Sequence, residues 1–128
     1  MRLLLDTHAF LWFLAGDRRL SGTARRRIED SRHERFLSMA SVWEMAIKSS
    51  LRKLDIDDPL AAVVDQGTRE SGIALLRISK EHALGVADLP WHHRDPFDRL
   101  LAAQAIAEEM SIVSVDPAFD AYGVARVW

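Results

Sequence analysis

The chain has 128 residues, no cysteine and a formal net charge of −2. That length predicts one domain, residues 1–128, with a sizeable core. The missing thiols exclude disulfides, zinc ribbons, iron–sulfur clusters and thiol catalysis. Charge is uneven: residues 1–53 hold 11 Lys/Arg against 6 Asp/Glu (+5), and residues 54–128 hold 6 against 13 (−7). Asp6 and His8 interrupt the N-terminal run Leu3-Leu4-Leu5, and no stretch reaches the roughly 18–20 apolar residues of a membrane span. A cytoplasmic protein that does not enter a membrane is expected.

Periodicity predicts alternating strands and helices. Arg2–Leu5 reads as a short buried strand. Thr7–Leu14 reads as a helix stopped by Gly16, and it is apolar nearly all round (Phe10, Leu11, Trp12, Phe13, Leu14). Ser21–Ser31 is a polar, basic helix and Arg35–Ser38 a strand. Ala40–Lys53 is an amphipathic helix with Trp43, Ile47, Leu51 and Leu54 as its apolar positions, so Trp43 is expected in the core. Pro59–Ser71 is a helix with Asp58 as cap and Pro59 at its first position. Ile73–Ile78 is a strand. Ser79 caps a helix through Ala87, where Ser79-Lys80-Glu81-His82 lacks the Glu of a full capping box. Pro96–Met110 is the longest clean helix, with Asp95 as its cap. Ile112–Val115 and Val124–Val127 close the pattern as strands. Strands separated by helices imply an α/β fold with a parallel sheet covered on both faces. Its binding crevice should lie beyond the carboxyl ends of the strands.

Four acids lie against apolar sequence. Asp6 ends the first strand and Asp116 follows the run Ile112–Val115. Asp98 shares a helix stripe with Leu101, Ala102, Ala105 and Ile106, and Glu44 shares one with Ala40, Ile47 and Leu51. A buried carboxylate without a partner is costly. Four of them, with no matching buried Lys or Arg in the same runs, imply a cation from outside the chain. Converging on one crevice, they should repel one another and raise their pKa values unless that cation is bound. Mg²⁺ takes oxygen ligands of this kind, and Mn²⁺ is an alternative. Metal-assisted phosphodiester hydrolysis is the chemistry such a site performs. Each acid also has a purely local reading. Asp6 can cap a helix, Asp98 can oppose a helix dipole, Glu44 can pair with Lys48 at i+4, and Asp116 before Pro117 can open a turn. His8 is read as structural or as an outer neighbour of Asp6, and His92-His93 as fixing the loop into the long helix. The cluster Arg18, Arg19, Arg25, Arg26, Arg27, Arg32 and Arg35 suits a polyanion, with Arg25, Arg26 and Arg27 as candidate contacts to its phosphate backbone. A solvated helix face is the alternative.

The segments Leu4-Leu5-Asp6-Thr7-His8-Ala9-Phe10-Leu11-Trp12, Ser38–Lys48 around Glu44, His93-Arg94-Asp95-Pro96-Phe97-Asp98-Arg99 through Ala105, and Val113-Ser114-Val115-Asp116 resemble the PIN-domain ribonucleases. They are most similar to the VapC toxins of type II toxin–antitoxin pairs. The resemblance runs from end to end. It implies a three-layer α/β sandwich with a five-stranded parallel sheet, and a Mg²⁺- or Mn²⁺-dependent endoribonuclease. It implies products with 3′-hydroxyl and 5′-phosphate ends, since water attacks. It also implies a homodimer and inhibition by a cognate antitoxin whose C-terminal segment covers the first helix. It assigns the metal-site acids to Asp6, Glu44, Asp98 and Asp116, with Thr7, Asp95 and Ser114 as outer-shell candidates. Arg52 stands where many relatives carry Gly, and Ser114 where Thr is common. Two other readings compete. One is a phosphoryl-transfer or receiver-like domain, which would want an acid pair before the first helix and a Lys near the end; residues 112–128 contain no Lys. The other is a noncatalytic RNA- or protein-binding module.

Overall fold

The computed structural model describes all of residues 1–128. Five parallel strands form one sheet in the order β3-β2-β1-β4-β5. They are β1 (Arg2–Leu5), β2 (Glu34–Ser38), β3 (Ala74–Leu76), β4 (Ser111–Val113) and β5 (Arg126–Val127). Six α-helices connect them: α1 (Thr7–Ala15), α2 (Gly22–Glu29), α3 (Met39–Ser50), α4 (Leu60–Ser71), α5 (Lys80–Gly85) and α6 (Pro96–Glu108). Two 3-10 segments, Val86–Asp88 and Pro117–Tyr122, complete the chain. No helix is long and apolar enough to cross a membrane. β1 is central because Leu3, Leu4 and Leu5 are fully buried and can be covered from both sides. Their alternation splits the core. Leu3 and Leu5 join Phe10, Ala24, Ile28, Met45 and Val64 on one face. Leu4 joins Leu101, Ala102, Ala105, Ile112 and Phe119 on the other.

The chain leaves β1 toward β2 and β3, then returns to the opposite side of β1 as β4 and β5. Strand order therefore reverses between β1 and β4, and a crevice opens there beyond their carboxyl ends. The N–H of Asp6 donates to the carbonyl of Val113 at 3.1 Å across that gap. The order also separates this chain from receiver domains, whose sheets run 2-1-3-4-5.

Several local expectations are corrected. Trp43 is not core: it is 60% exposed, with Met39, Ile47 and Leu51 beside it at 37%, 36% and 58%. The buried stripe of α3 is Ala40, Ser41, Glu44 and Met45, one step round the helix. Glu44 does point inward, but without Ile47 and Leu51. On α6, Leu101, Ala102 and Ala105 are buried as expected, whereas Ile106 is 48% exposed. Pro59 itself is the N-cap of α4 and no side chain caps that helix, so Asp58 is not its cap. At α5 the capping box is complete after all. Ser79 Oγ accepts the N–H of His82 at 3.1 Å, and His82 Nδ1 accepts the N–H of Ser79 at 3.0 Å. An imidazole nitrogen does the work usually done by Glu. The strand expected at Ile112–Val115 ends at Val113, and a 3-10 helix capped by Asp116 follows.

α3 ends in a turn where Arg52 has φ 56°, in the left-handed region. Its N–H donates to Ser49, and the N–H of Lys53 donates to Lys48 at 2.8 Å. That hydrogen-bond pair favours glycine at the intervening position, because a Cβ there is strained. Arg52→Gly is expected to stabilise the fold by about 0.5–1 kcal/mol in urea denaturation.

Candidate active site at the strand-order switch

Asp6 reaches the crevice because β1 stops there. The side chain is 7% exposed, and Oδ1 accepts the N–H of Ala9 at 2.8 Å, so Asp6 caps α1 while facing the pocket. Thr7, next in sequence, donates from Oγ1 to Glu44 Oε1 at 2.6 Å. The other oxygen of Glu44 accepts Lys48 Nζ at 2.7 Å. Glu44 thus takes both its local i+4 partner and the pocket. Asp98 sits in the first turn of α6, whose cap Asp95 accepts the N–H of Phe97 and of Asp98 at 2.8 and 3.2 Å. Asp116 caps the second 3-10 segment through the N–H of Ala118 at 2.9 Å. Ser114, fully buried, has its hydroxyl close enough to Asp6 to help hold that carboxylate's charge, and its Oγ accepts the N–H of Asp116 at 3.0 Å.

The result is a crevice of about 370 Å³ that brings Asp6, Glu44, Asp98 and Asp116 together with Thr7, His8, Lys48 and Asp95. All four acids and two outer candidates line it; Ser114 lies behind Asp6. Lys48 is the one Lys or Arg in the lining. Arg25, Arg26 and Arg27 are not brought there. Arg25 stacks over Phe13, Arg26 turns back to Thr23, and Arg27 lies against the sulfur of Met1, at the opposite end of β1 from Asp6.

Burial, more than mutual repulsion, sets the electrostatics. It raises the Asp6 carboxyl above its ordinary value against hydrogen bonds from Ser114 and Ala9, with Glu44 a minor contributor. Burial and then the charge of Asp95 push Asp98 up to about 7. Asp116 corrects the expectation of a uniformly raised set. Burial pulls it up too, but the N–H of Ala118 and the His93 ring outweigh that and hold it below the ordinary value. Sequence reasoning placed His93 in the loop and not at the acids. Its Nε2 lies 2.8 Å from Asp116 Oδ2 and 3.1 Å from Asp98 Oδ2. Position in a loop two residues before a cap carries no periodic signal, so nothing in the spacing points there.

Residues 3–125 match the sequence pattern of the PIN domain. The chain belongs to the PIN domain family. Members of that family are nucleases, in general hydrolases, and typically use a divalent metal. Among curated proteins none matches this PIN domain in sequence. Solved structures share its fold. A VapBC2 complex from Rickettsia felis, bound to a DNA fragment from its promoter, superposes with TM-score 0.73 at 15% identity, over 98% of this chain and 97% of that one. VapBC-1 from nontypeable Haemophilus influenzae gives 0.67 at 12% identity, over 98% and 96%. FitAcB from Neisseria gonorrhoeae gives 0.58 at 18%, over 97% and 95%.

Proposed function

We propose that this PIN domain is a divalent-metal-dependent endoribonuclease and the toxin of a type II toxin–antitoxin pair. The observation that carries the reading is the gathering of Asp6, Glu44, Asp98 and Asp116 at the strand-order switch. The donor set fits a hard cation: it is all oxygen, partly desolvated, and faced by a single ammonium group, Lys48. Asp98, held near neutrality by burial, is the acid whose charge a cation would restore most. Mg²⁺ is the ion we assign, with Mn²⁺ able to replace it. When bound there, the ion neutralises phosphate charge and lowers the pKa of a water molecule.

The chain's own groups then do the rest. Asp6 after β1 and Asp98 on α6 would hold the cation, with Glu44 and Asp116 completing the acidic wall. Thr7 and Ser114 fix carboxylate rotamers, and the Asp95 cap fixes the first turn of α6. His8 is exposed at the rim, stacked on Trp12 at 5.4 Å. Lys48, 2.7 Å from Glu44 in the lining of the crevice, would offer its ammonium group to phosphate oxygens. Attack by water leaves 3′-hydroxyl and 5′-phosphate ends. Phosphate contacts by Arg25–Arg27 would require RNA to run along the molecule to the far end of β1. RNA cleavage abolished by excess EDTA and restored by Mn²⁺ supports this function, and cleavage at full rate in EDTA would refute it.

The structural relatives are complexes described as VapBC, FitAB and toxin–antitoxin assemblies, and that supports assigning an antitoxin partner here. Its segment would cover α1, where Leu11, Trp12, Phe13 and Leu14 remain half-exposed. A second copy of this chain would cover the stripe formed by Met39, Trp43 and Ile47 of α3 with Leu51 at its C-cap, since contiguous apolar surface is seldom left open on a monomer. Trp43→Glu is expected to halve the mass in sedimentation equilibrium while leaving circular dichroism unchanged. An unchanged mass would remove α3 from the interface.

A further inference from the structure

His93 does more than close a loop. Its Nδ1 accepts the backbone N–H of Asp95 at 3.0 Å. A ring nitrogen that accepts must carry a lone pair, so the ring hydrogen is on Nε2. That nitrogen faces Asp116 Oδ2 at 2.8 Å and Asp98 Oδ2 at 3.1 Å. The backbone beneath it is tightly held. The N–H of His93 donates to Tyr122 Oη at 2.9 Å. Arg99, only 4% exposed, donates to Tyr122 Oη at 3.3 Å and to the carbonyls of Pro90, Val86 and Leu89 at 3.0–3.3 Å. A buried guanidinium is an expensive way to fix a loop, and the loop it fixes delivers one ring N–H between two carboxylates.

We propose that His93 is a positioning residue of the acid site. Its Nε2–H donates to Asp116 beyond β4 and lies 3.1 Å from Asp98 on α6, and so fixes how the two carboxylates turn their lone pairs toward the cation. The proposal rests on the metal reading given above. His93 does not itself ligate. If Nε2 bound a metal, the hydrogen would move to Nδ1 and meet the N–H of Asp95, two donors face to face. The neutral ring acts through the acids, as outer partners of ligating carboxylates do.

Two measurements test this on the full chain. Long-range ¹H–¹⁵N correlation on the metal-free protein at pH 8 reads the tautomer, and the Nε2–H form is expected. Calorimetry reads Mn²⁺ binding in wild type, His93→Ala and His93→Gln, with circular dichroism reporting the fold. The Ala variant should bind Mn²⁺ about 10–100-fold more weakly. The Gln variant keeps an N–H donor near the same reach and should recover most of that loss. An Nδ1–H tautomer would overturn the proposal, and it decides the matter even if the Ala variant fails to fold. Unchanged Mn²⁺ affinity in a folded Ala variant would reduce His93 to loop support. Tighter binding would mean that the ring occupies the cation's place. Failure of wild type to bind Mn²⁺ would bring down the metal reading and this proposal together, and is visible before any variant is made.

Discussion

Asp98→Asn is expected to cut RNA cleavage by about 10³-fold or more while leaving the fold intact. The substitution removes one charge and almost no volume. The amide still fits the first turn of α6, because Asp95 and not Asp98 caps that helix. What is lost is the carboxylate that α6 would supply to the proposed metal site. Stabilisation of transition-state charge by a bound metal amounts to several kcal/mol, and about 4 kcal/mol corresponds to three decades in rate. Single-turnover cleavage of a labelled RNA at saturating Mn²⁺ is the measurement. A variant retaining a tenth of the wild-type rate would put the reacting centre elsewhere.

The same substitution should stabilise the metal-free protein, and the sign follows from linkage. Burial pushes the Asp98 carboxyl up to about 7 in the folded chain, from an ordinary value of 3.8. Between those values the folded state binds the proton more tightly than the unfolded state does. Stability that is full below about pH 4 is therefore lost as pH rises through 7. Asp6 contributes in the same direction, its carboxyl being raised by burial. Asp116, held low, contributes the opposite slope, with stability lost as pH falls. The Asp98 share has an upper bound of about 4 kcal/mol from three pH units. Discounted for partial exposure, the metal-free protein should still gain on the order of 5–10 °C in Tm at pH 7.5 from Asp98→Asn. Asp6→Asn should act in the same direction, since the amide removes the buried charge and its oxygen can keep the cap on Ala9. Mn²⁺ should raise the wild-type Tm by mass action and do little for the Asn variant. A metal-free Tm that does not move with Asp98→Asn would mean that the carboxylate is not desolvated.

Much of this was legible in the sequence for identifiable reasons. The strand ends and helix first turns that carry Asp6, Asp98 and Asp116 are marked by Leu3–Leu5, by Asp95-Pro96 and by Ile112–Val113, all strong local signals. Glu44 was legible as inward-facing but for the wrong stripe. Periodicity locates an apolar face without saying what covers it, and α3 has two: Ala40, Ser41 and Met45 packed inside, and Met39, Trp43, Ile47 and Leu51 outside. Small buried side chains are quiet in a hydropathy pattern, and a large exposed tryptophan is loud. The His93 bridge and the His82 capping box were not legible, because each depends on which ring nitrogen carries the hydrogen. The direction of the Asp116 shift was not legible either. It reflects a balance between burial and two donors that is set by the folded structure.

The central place of β1 has a consequence for how the protein comes into being. The four carboxylates stand at positions 6, 44, 98 and 116, and the wall beside β1 is β4, nearly the last strand to be made. A nascent chain that has released α1 through α5 owns Asp6 and Glu44 but has no β4 to receive the Asp6 N–H. The crevice cannot close around half its acids. On the function proposed above, a growing polypeptide has no assembled acid site until β4 has been made and has paired with β1.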